Sequence, residues 1–342
     1  MSLTVTIADI ARKLKVTSAT VSRALNDHPA ISEKTKKRVL KTAALLNYRR
    51  NTVASSLRSG QTGIIGVIIP SAAINFFGSV VHGIESMANL HGYNVLIYQS
   101  NESREHEQKG IETFLNARVD GIMISMAKEE SNYAHILSVK QAGIPIVLFD
   151  RANDDLEMDA VVIDDYKGGY MATSHLAEQG YKRIAHISGP LYINIFKARF
   201  QGYKDALKDH GIRYQSALVY NGDVSVEAGK HAIQQFFKLA TAPDAVFAVE
   251  DFTALGAIKE LKRRKIQLPD AFGVVGFANE SFGEHISPSL STIDQQTVQM
   301  GKEAFSLMLN LVENRTRKRK TVQKIVLAPV PVFRNSSLRK HC

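Results

Sequence analysis

The segment TIADIARKLKVTSATVSRALN, residues 6–26, determines how the N-terminal part of this chain folds. Its apolar side chains Ile10, Leu14, Val16, Val21 and Ala24 are separated by four, two, five and three residues. That spacing fits neither one continuous helix nor an alternating strand. Two short helices with a tight break near residues 15–17 account for it.

Residues that favour helix N-termini stand at the start of each of the two helices. We expect Thr6 to cap the first helix, with Asp9 in its first turn, and Thr17 or Ser18 to begin the second. This pattern is typical of a helix-turn-helix, whose second helix, here residues 18–26, lies in the DNA major groove. The alternative is an ordinary helical hairpin on a protein surface.

A third amphipathic helix is expected after a cap at Ser32. Its apolar positions Val39, Leu40, Ala43 and Leu46 follow a helical period and would close a small core beneath the helix pair.

The charge distribution supports a polyanionic partner for this module. Residues 1–60 contain twelve Lys and Arg residues against three Asp and Glu residues, a net charge of +9. The remaining 282 residues contain 31 basic and 30 acidic side chains. A basic patch confined to one small module is the electrostatic signature of nucleic-acid binding.

The N-terminal sequence resembles the lactose-repressor (LacI/GalR) family of bacterial transcription regulators. The resemblance rests on residues 6–26 and on LLNYRRNTVASSLR, residues 45–58. Three positions depart from the usual pattern: Lys15 stands where the family has Gly in the turn, Arg50 replaces a Pro, and Ser55 replaces a basic or amide residue. A non-Gly residue at position 15 would have to adopt positive φ at modest cost.

The resemblance implies DNA contacts at fourteen positions. Ser18, Ala19 and Arg23 would face bases, and Arg23 is the strongest candidate for a bidentate contact with guanine. Ala54 and Leu57 belong to a hinge helix that forms only on DNA, with Leu57 wedged into the minor groove; otherwise Leu57 is a linker core residue. The positions expected to contact phosphates or the DNA backbone are Thr6, Thr17, Thr20, Ser22, Asn26, Ser32, Thr35, Tyr48 and Asn51.

Beyond residue 61, short β-rich apolar runs alternate with helical patterns. Runs such as 64–69, 121–125, 145–149 and 245–249 predict buried parallel strands covered by helices on both faces. They are too numerous for one compact sheet. We therefore expect an α/β fold in which a three-helix DNA-binding domain (1–47) and a hinge and linker (48–60) precede a two-lobed core resembling periplasmic binding proteins (61–342). The first lobe takes 61–161 plus 292–324, and the second takes 162–291 plus 325–342, including a last strand near 325–333.

The family resemblance extends through the core, on stretches such as GIPIVLFDR (143–151), PDAVFAVED (243–251) and LAPVPVFRNSS (327–337). It implies a small-molecule ligand, most simply a sugar, in the cleft between the lobes, and carboxylates, Arg and an aromatic face suit a polyol. No heptad helix follows, so a homodimer is expected. The implied ligand-binding residues are Asn75, Phe76, Asn101, Asp150, Arg151, Arg199, Glu250, Asp251 and Asn279.

Some of these residues also have simpler interpretations. Phe76 could be a core residue, and Asp150 with Arg151 could form an exposed ion pair. Many relatives have Asp directly after the Gly-[Tyr/Phe] pair, where this chain has Ala278 followed by Asn279, so the ligand need not be that of a well-known relative.

No catalytic or metal-binding pattern is visible. Neighbouring carboxylates such as Glu250 and Asp251 could suggest a glycosidase, but adjacent residues at a strand end point apart. His175 is expected to pack inside its helix, no cofactor is implied, and the basic run 315–320 is expected to be a solvated loop.

The first residues lack the charged and apolar regions of an export signal, and the only cysteine is Cys342. No apolar run is long enough to span a membrane. We therefore expect a cytoplasmic, dimeric repressor that binds a pseudo-palindromic operator under small-molecule control. The alternatives are a periplasmic-type sugar receptor, a corepressor-dependent regulator that binds a nucleobase, and an architectural DNA-binding protein.

Overall fold

The computed structural model describes residues 5–48, 61–128, 133–315 and 321–339. The chain divides into two compact units, with the boundary between Thr62 and Gly63.

The N-terminal unit contains three helices: α1 (Ile7–Leu14), α2 (Ser18–Leu25) and α3 (Glu33–Leu45). The predicted caps are confirmed, because the side chains of Thr6, Thr17 and Ser32 accept hydrogen bonds from the first turns of α1, α2 and α3. Thr6 and Asp9 form a reciprocal capping box, which satisfies two otherwise unpaired backbone donors.

The break between α1 and α2 depends on Lys15, which adopts φ 54° and ψ 45°. This confirms the prediction that a non-Gly residue takes the left-handed conformation in the turn. The small core contains Ile10, Val21 and Val39, each with 0% of its surface exposed.

The prediction that Leu40 helps close this core is wrong, since 54% of its surface is exposed. Successive helical residues are rotated by roughly 100°. Because Val39 and Ala43 face the core, Leu40 turns away from it.

The larger unit alternates strands and helices. Its strands are β1 (Ile64–Ile69), β2 (Asn94–Gln99), β3 (Gly121–Ile124), β4 (Ile146–Phe149), β5 (Asp159–Ile163), β6 (Ile184–Ser188), β7 (Val219–Asn221), β8 (Ala245–Ala248), β9 (Gly273–Val275), β10 (Thr292–Asp294), β11 (Lys324–Leu327) and β12 (Val330–Val332). Its helices are α4 (Asn75–Leu90), α5 (Arg104–Asn116), α6 (Ala134–Gln141), α7 (Asp165–Glu178), α8 (Asn194–Asp209), α9 (Val226–Phe236), α10 (Asp251–Arg263), α11 (Phe282–His285) and α12 (Thr297–Glu313).

Two parallel sheets define the two lobes. The first has strand order β11-β5-β4-β3-β1-β2 and the second β7-β6-β8-β9, while β10 and β12 form an antiparallel pair. In each lobe buried apolar clusters line both faces of the sheet. The predicted architecture, a DNA-binding helical module followed by a two-lobed core of parallel sheets, is therefore confirmed.

Helix α12 returns to the first lobe, as predicted, and lies against α4. A Cβ added to Gly83 would stand 2.2 Å from the Val298 carbonyl oxygen, and one added to Gly301 would stand 2.1 Å from the Val80 carbonyl oxygen. The two helices approach so closely that only glycine fits at these crossing points.

The placement of the last strand needs correction. Residues 325–333 were expected to close the second lobe as one strand, but they form two strands in different sheets. Strand β11 pairs with β5 in the first sheet, and only β12 pairs with β10. Strand β10 was likewise expected in the first lobe, yet Ala278 bridges to Asp294 of β10 beside the second sheet. Residues 49–60 lie outside the described part of the chain, so the domain boundaries there stay predictions.

Candidate ligand cleft and nucleic-acid interface

A cavity of about 330 Å³ lies between the two lobes, where the carboxyl ends of the parallel strands face each other. This is the position at which open α/β sheets bind ligands. Five of the nine predicted ligand-binding residues line it: Phe76, Asp150, Arg151, Arg199 and Glu250. Its other lining residues are Ile74, Phe77, Glu102, Lys128, Ile195, Phe196, Val224, Ser225, Val226, Phe252, Ala278, Glu280 and Gln295.

Arg199, on α8, is a buried charged group in the cavity wall that three hydrogen bonds hold in place. Its Nε donates to Asp165 at 2.8 Å, its Nη1 to the Val249 carbonyl at 2.8 Å and its Nη2 to Gln295 at 3.1 Å. The guanidinium lies 3.6 Å from the centre of the Phe277 ring. These contacts fix the guanidinium plane before any ligand arrives, so little side-chain entropy is lost on binding.

Burial raises the pKa of Asp165 to about 6, even though Arg199 opposes the shift. The pair is therefore balanced between the cost of desolvating a carboxylate and its attraction to the guanidinium.

Asp150 and Arg151 do not form the exposed ion pair that was considered as an alternative. Asp150 is buried, accepts a hydrogen bond from Ser125 at 3.2 Å and adopts φ 60°. The Arg151 guanidinium donates to both carboxylate oxygens of Glu102, with N–O distances of 2.7 and 3.1 Å, and its Nε lies 3.9 Å from Asp150 in a buried ion pair. Burial raises the pKa of Asp150, whereas the neighbouring Arg151 and Arg199 lower it.

Glu250 and Asp251 have different roles, although both were expected in the cleft. Glu250 lines the cavity and caps α10 by accepting from the backbone N–H groups of Phe252 and Thr253. Asp251 does not line the cavity, which corrects the prediction: it is fully buried beneath the wall, where Thr292 and the Glu280 N–H donate to it. Burial raises the pKa of Glu250 to about 8 and that of Asp251 to about 7.

Asn101 and Asn279 also do not line the cavity. In each case the following residue in the chain lines it. Asn101 is exposed and accepts from Gln99, while Glu102 reaches the cavity. Asn279 is held by Asp294 and Arg334, while Glu280 reaches the cavity. The backbones of both predicted residues have positive φ, in tight turns that direct neighbouring side chains to different sides.

Asn75, also predicted to bind the ligand, is exposed and does not line the cavity, and it donates to Glu280 at 3.0 Å. Phe76 is buried and lines the cavity, so it combines the core and ligand-facing interpretations. Together with Phe77, Phe196 and Phe252 it supplies an aromatic wall suited to the apolar face of a ring.

Sequence reasoning missed Glu102 and Glu280, as well as Lys128, Gln295 and the apolar residues of the wall. The available signal was that each Glu stands one place beyond a predicted Asn after a strand. His175 stacks on Phe333 at 3.5 Å and bonds Ser337 at 2.7 Å, as expected for a packed histidine. Among the described residues, no cluster of His, Cys, Asp and Glu could hold a metal ion, and no helix is long and apolar enough to cross a membrane.

A second cavity, about 580 Å³, opens near the N-terminal ends of β4 and β5 beside the end of α12. It is larger than the interlobe cavity, but charged groups from two lobes do not converge on it. Convergent polar groups in an apolar wall distinguish ligand sites from surface hollows. We therefore treat the interlobe cavity as the candidate ligand site.

Helix α2 presents one exposed polar face on the N-terminal unit. Ser18, Ala19, Arg23 and Asn26 are exposed, whereas Val21 and Ala24 face the core. Within the described residues no hydrogen bond or ion pair engages the Arg23 guanidinium, which leaves its donors available to a base edge.

The remaining predicted DNA-contacting residues of this unit differ in exposure. Thr6, Thr17 and Ser32 are exposed at helix N-termini, where backbone N–H groups attract phosphates. Thr20, Ser22, Thr35 and Tyr48 are half-buried. Asn51, Ala54 and Leu57 lie outside the described residues, so the hinge contacts stay predictions.

Comparison with known proteins yields matches along nearly the whole chain. Residues 6–51 match the model described as "Bacterial regulatory proteins, lacI family", and residues 62–335 match "Periplasmic binding proteins and sugar binding domain of LacI family". The repressor CytR of Escherichia coli (strain K12) is 32% identical over 308 residues, 90% of each chain.

Two further matches cover almost all of the chain. The repressor PurR of Mannheimia succiniciproducens is 28% identical over 331 residues, 97% of this chain and 98% of its own. A crystal structure of the lac repressor dimer bound to operator and the anti-inducer ONPF superimposes with a TM-score of 0.87 at 26% identity, covering 98% of this chain and 100% of that one.

Proposed function

The chain belongs to the LacI family of bacterial transcription regulators, and we propose from this premise that a sugar or sugar derivative in its interlobe cavity controls its affinity for operator DNA. As a member of this family it is a DNA-binding repressor with a small-molecule effector, and not an enzyme. The effector class, the binding residues, the assembly and the direction of the response are the proposal.

The charge balance of the cavity supports an uncharged, polyhydroxylated effector. Its wall carries four carboxyl groups and three cationic groups, and each cationic group already faces a carboxylate. Arg151 and Lys128 are paired with Glu102, and Arg199 with Asp165. Such a wall offers hydrogen-bond acceptors and donors without a large net charge, which matches hydroxyl groups better than a phosphate.

The convergence of Arg199, Asp150 and the aromatic wall from both lobes is the observation that carries this proposal. A ligand that contacts both lobes favours one degree of cleft closure over another, because only closure completes its contacts. A volume of about 330 Å³ accommodates a mono- or small disaccharide and falls within the range of small-molecule sites.

A thermal-shift screen tests the effector class. The panel holds neutral sugars, sugar phosphates, uronates and nucleobases, and a ligand at a hundred times its dissociation constant adds about 2.7 kcal/mol of stability. Asp150→Asn should abolish stabilisation by the true effector. Asn101→Ala, which alters an exposed residue outside the cavity, is the matched control and should leave it unchanged. Equal stabilisation of both variants would place the ligand elsewhere.

We propose that the repressor acts as a homodimer on a pseudo-palindromic operator in the cytoplasm. Exposed apolar side chains at the edge of the first lobe support a subunit contact: Leu90, Leu96 and Ile97 are 78%, 40% and 53% exposed. Ile97→Asp should shift the sedimentation coefficient towards the monomer, whereas Leu137→Asp, also an exposed apolar residue, should not. Selection from random DNA should return two half-sites about one helical turn apart.

Effector binding is proposed to release the operator through the predicted hinge at residues 51–57, which lies outside the described residues. Thermodynamic reciprocity requires operator to weaken effector by the same factor by which effector weakens operator. Equal effector affinity with and without operator contradicts the coupling. An effector that instead tightens operator binding, as a nucleobase corepressor would, contradicts induction but retains the coupled mechanism.

A further inference from the structure

Glu280 forms a hydrogen bond that joins the two lobes. It belongs to the second lobe, after β9, while its hydrogen-bond donor Asn75 begins α4 in the first lobe. Asn75 Nδ2 donates to Glu280 Oε2 at 3.0 Å. Burial raises the pKa of Glu280, whereas Asn75 and the backbone N–H of Phe76 at the start of α4 lower it.

The N-terminus of α4 lacks a cap from its own sequence. Ile74 occupies the N-cap position and makes no side-chain cap hydrogen bond. The first N–H groups of a helix have no partner within it and carry partial positive charge. A carboxylate from the opposite lobe therefore supplies what the local sequence omits.

Helix α8 offers an internal comparison. It begins with Ile-Asn-Ile-Phe at 193–196, much as α4 begins with Ile-Asn-Phe-Phe at 74–77, and it too lacks a side-chain cap. Among the described contacts, no carboxylate from the opposite lobe is bonded to Asn194, which is exposed. Of these two described helices, only α4 has such a contact across the cleft.

The backbone around Glu280 is held in an unfavourable conformation that aims it at the cleft. Ala278 adopts φ 130° and Asn279 φ 57°, both in the region that L-residues rarely occupy. The Asp251 carboxylate accepts a hydrogen bond from the Glu280 N–H at 2.7 Å, which fixes the backbone of Glu280. Asp294 and Arg334 hold the Asn279 side chain. Strain of this kind persists only where surrounding contacts enforce it.

We propose that Glu280 is an internal ligand of the α4 N-terminus, which holds the cleft closed without effector and keeps anionic groups of an effector out of this part of the cavity. The inference concerns the same cavity as the proposed function, but its central test needs no effector. Loss of the carboxylate should open the cleft and create a vacancy that a small free carboxylate can fill.

Distance measurements between spin labels test the closure. Labels attached through Glu105→Cys and Asp223→Cys, in a Cys342→Ser background, place one probe on an exposed residue of each lobe, away from the contact. Glu280→Ala should change the ratio of closed to open molecules by about tenfold, the lower range for a charge-assisted hydrogen bond. Glu284→Ala, which removes an exposed carboxylate from the neighbouring helix α11, is the control and should match the parent protein.

Acetate is the probe for the vacated position. It should restore the closed distance in Glu280→Ala but leave the parent protein unchanged, because there the position is filled. Asn75→Ala should open the cleft, and acetate should not restore the closed distance in this variant. The double variant Asn75→Ala/Glu280→Ala should be little more open than Glu280→Ala alone. Because Asn75 is exposed, Asn75→Ala should fold even if Glu280→Ala does not, and it then tests the same contact from the other lobe.

Distances identical in Glu280→Ala and the parent protein would overturn the proposal. Opening without acetate rescue would also overturn it, because Glu280 would then act through packing and not as a ligand. Neither result would affect the proposed effector function, whose tests are stabilisation by sugars and its loss in Asp150→Asn.

Discussion

Replacing Arg199 by Met should destabilise the core, with a characteristic dependence on pH, and should weaken effector binding. The substitution removes the guanidinium that Asp165, Val249 and Gln295 hold, and leaves the Asp165 carboxyl buried without its cation. Breaking a buried ion pair by removing one partner costs about 3–5 kcal/mol. We expect about 3 kcal/mol, because Asp165 can partly escape the penalty by taking up a proton.

The pH dependence follows from the raised pKa of Asp165. In the folded protein this pKa is about 6, against an ordinary value of 3.8, and loss of Arg199 should raise it further. Between those values the folded state binds a proton that the unfolded state has released, so stability falls as pH rises. The deficit of Arg199→Met relative to the parent protein should therefore be smaller at pH 5 than at pH 8.

Urea unfolding at several pH values, followed by far-UV circular dichroism, measures this deficit. Lys197→Met removes an exposed cation from the same helix and is the matched control, with an expected change within about 0.5 kcal/mol. A deficit for Arg199→Met below 1 kcal/mol at pH 8, or one that shrinks as pH rises, would refute the assignment of Arg199 as the counter-charge of Asp165. Effector affinity, once the screen has supplied a ligand, should fall by about 10- to 150-fold, as expected for hydrogen bonds to a charged group.

Three further predictions concern other parts of the chain. Lys15→Gly should stabilise the N-terminal unit by up to about 1 kcal/mol, because glycine adopts φ 54° without strain; a calorimetric scan of the full chain should show its transition rising, and an unchanged or lowered transition would contradict this. Arg23→Ala should reduce discrimination at one operator base pair by about 1–3 kcal/mol in fluorescence-anisotropy titrations, whereas uniform weakening on all sequences would indicate a phosphate contact. Glu250→Gln should flatten the fall in stability between pH 5 and 8 by up to about 1.4 kcal/mol per pH unit, because the folded pKa of Glu250 is about 8 against an ordinary 4.5. An equal slope in the parent protein and this variant would show that Glu250 does not titrate in that range.

Local sequence chemistry was sufficient for the N-terminal unit. Thr6, Thr17 and Ser32 are capping residues at the starts of three short amphipathic helices, and all three cap as predicted. The turn at Lys15 was also predictable, because the spacing of Ile10 and Val21 allows no continuous helix. Such features depend on interactions within a few residues, which sequence patterns report directly.

The pairing of strands far apart in the chain was harder to predict from the sequence. Strands β11 and β12 are separated by only two residues, yet they join different sheets. Their apolar pattern is continuous from 325 to 333, so periodicity alone indicates one strand. The division results from parallel pairing with β5 on one side and antiparallel pairing with β10 on the other.

A basic helix-turn-helix, a two-lobed parallel core and a polar cleft at the ends of the strands could all be predicted from the residue pattern. The three-dimensional fold was needed to show which of two neighbouring polar residues faces that cleft: Glu102 and not Asn101, Glu250 and not Asp251, Glu280 and not Asn279. Polar composition shows that a strand end carries hydrogen-bonding groups. The direction of each side chain depends on the whole path of the loop backbone, which at Asn101, Glu102 and Asn279 includes positive φ angles. Contacts between residues far apart in the chain enforce those angles, including the bonds of Asp294 and Arg334 to Asn279.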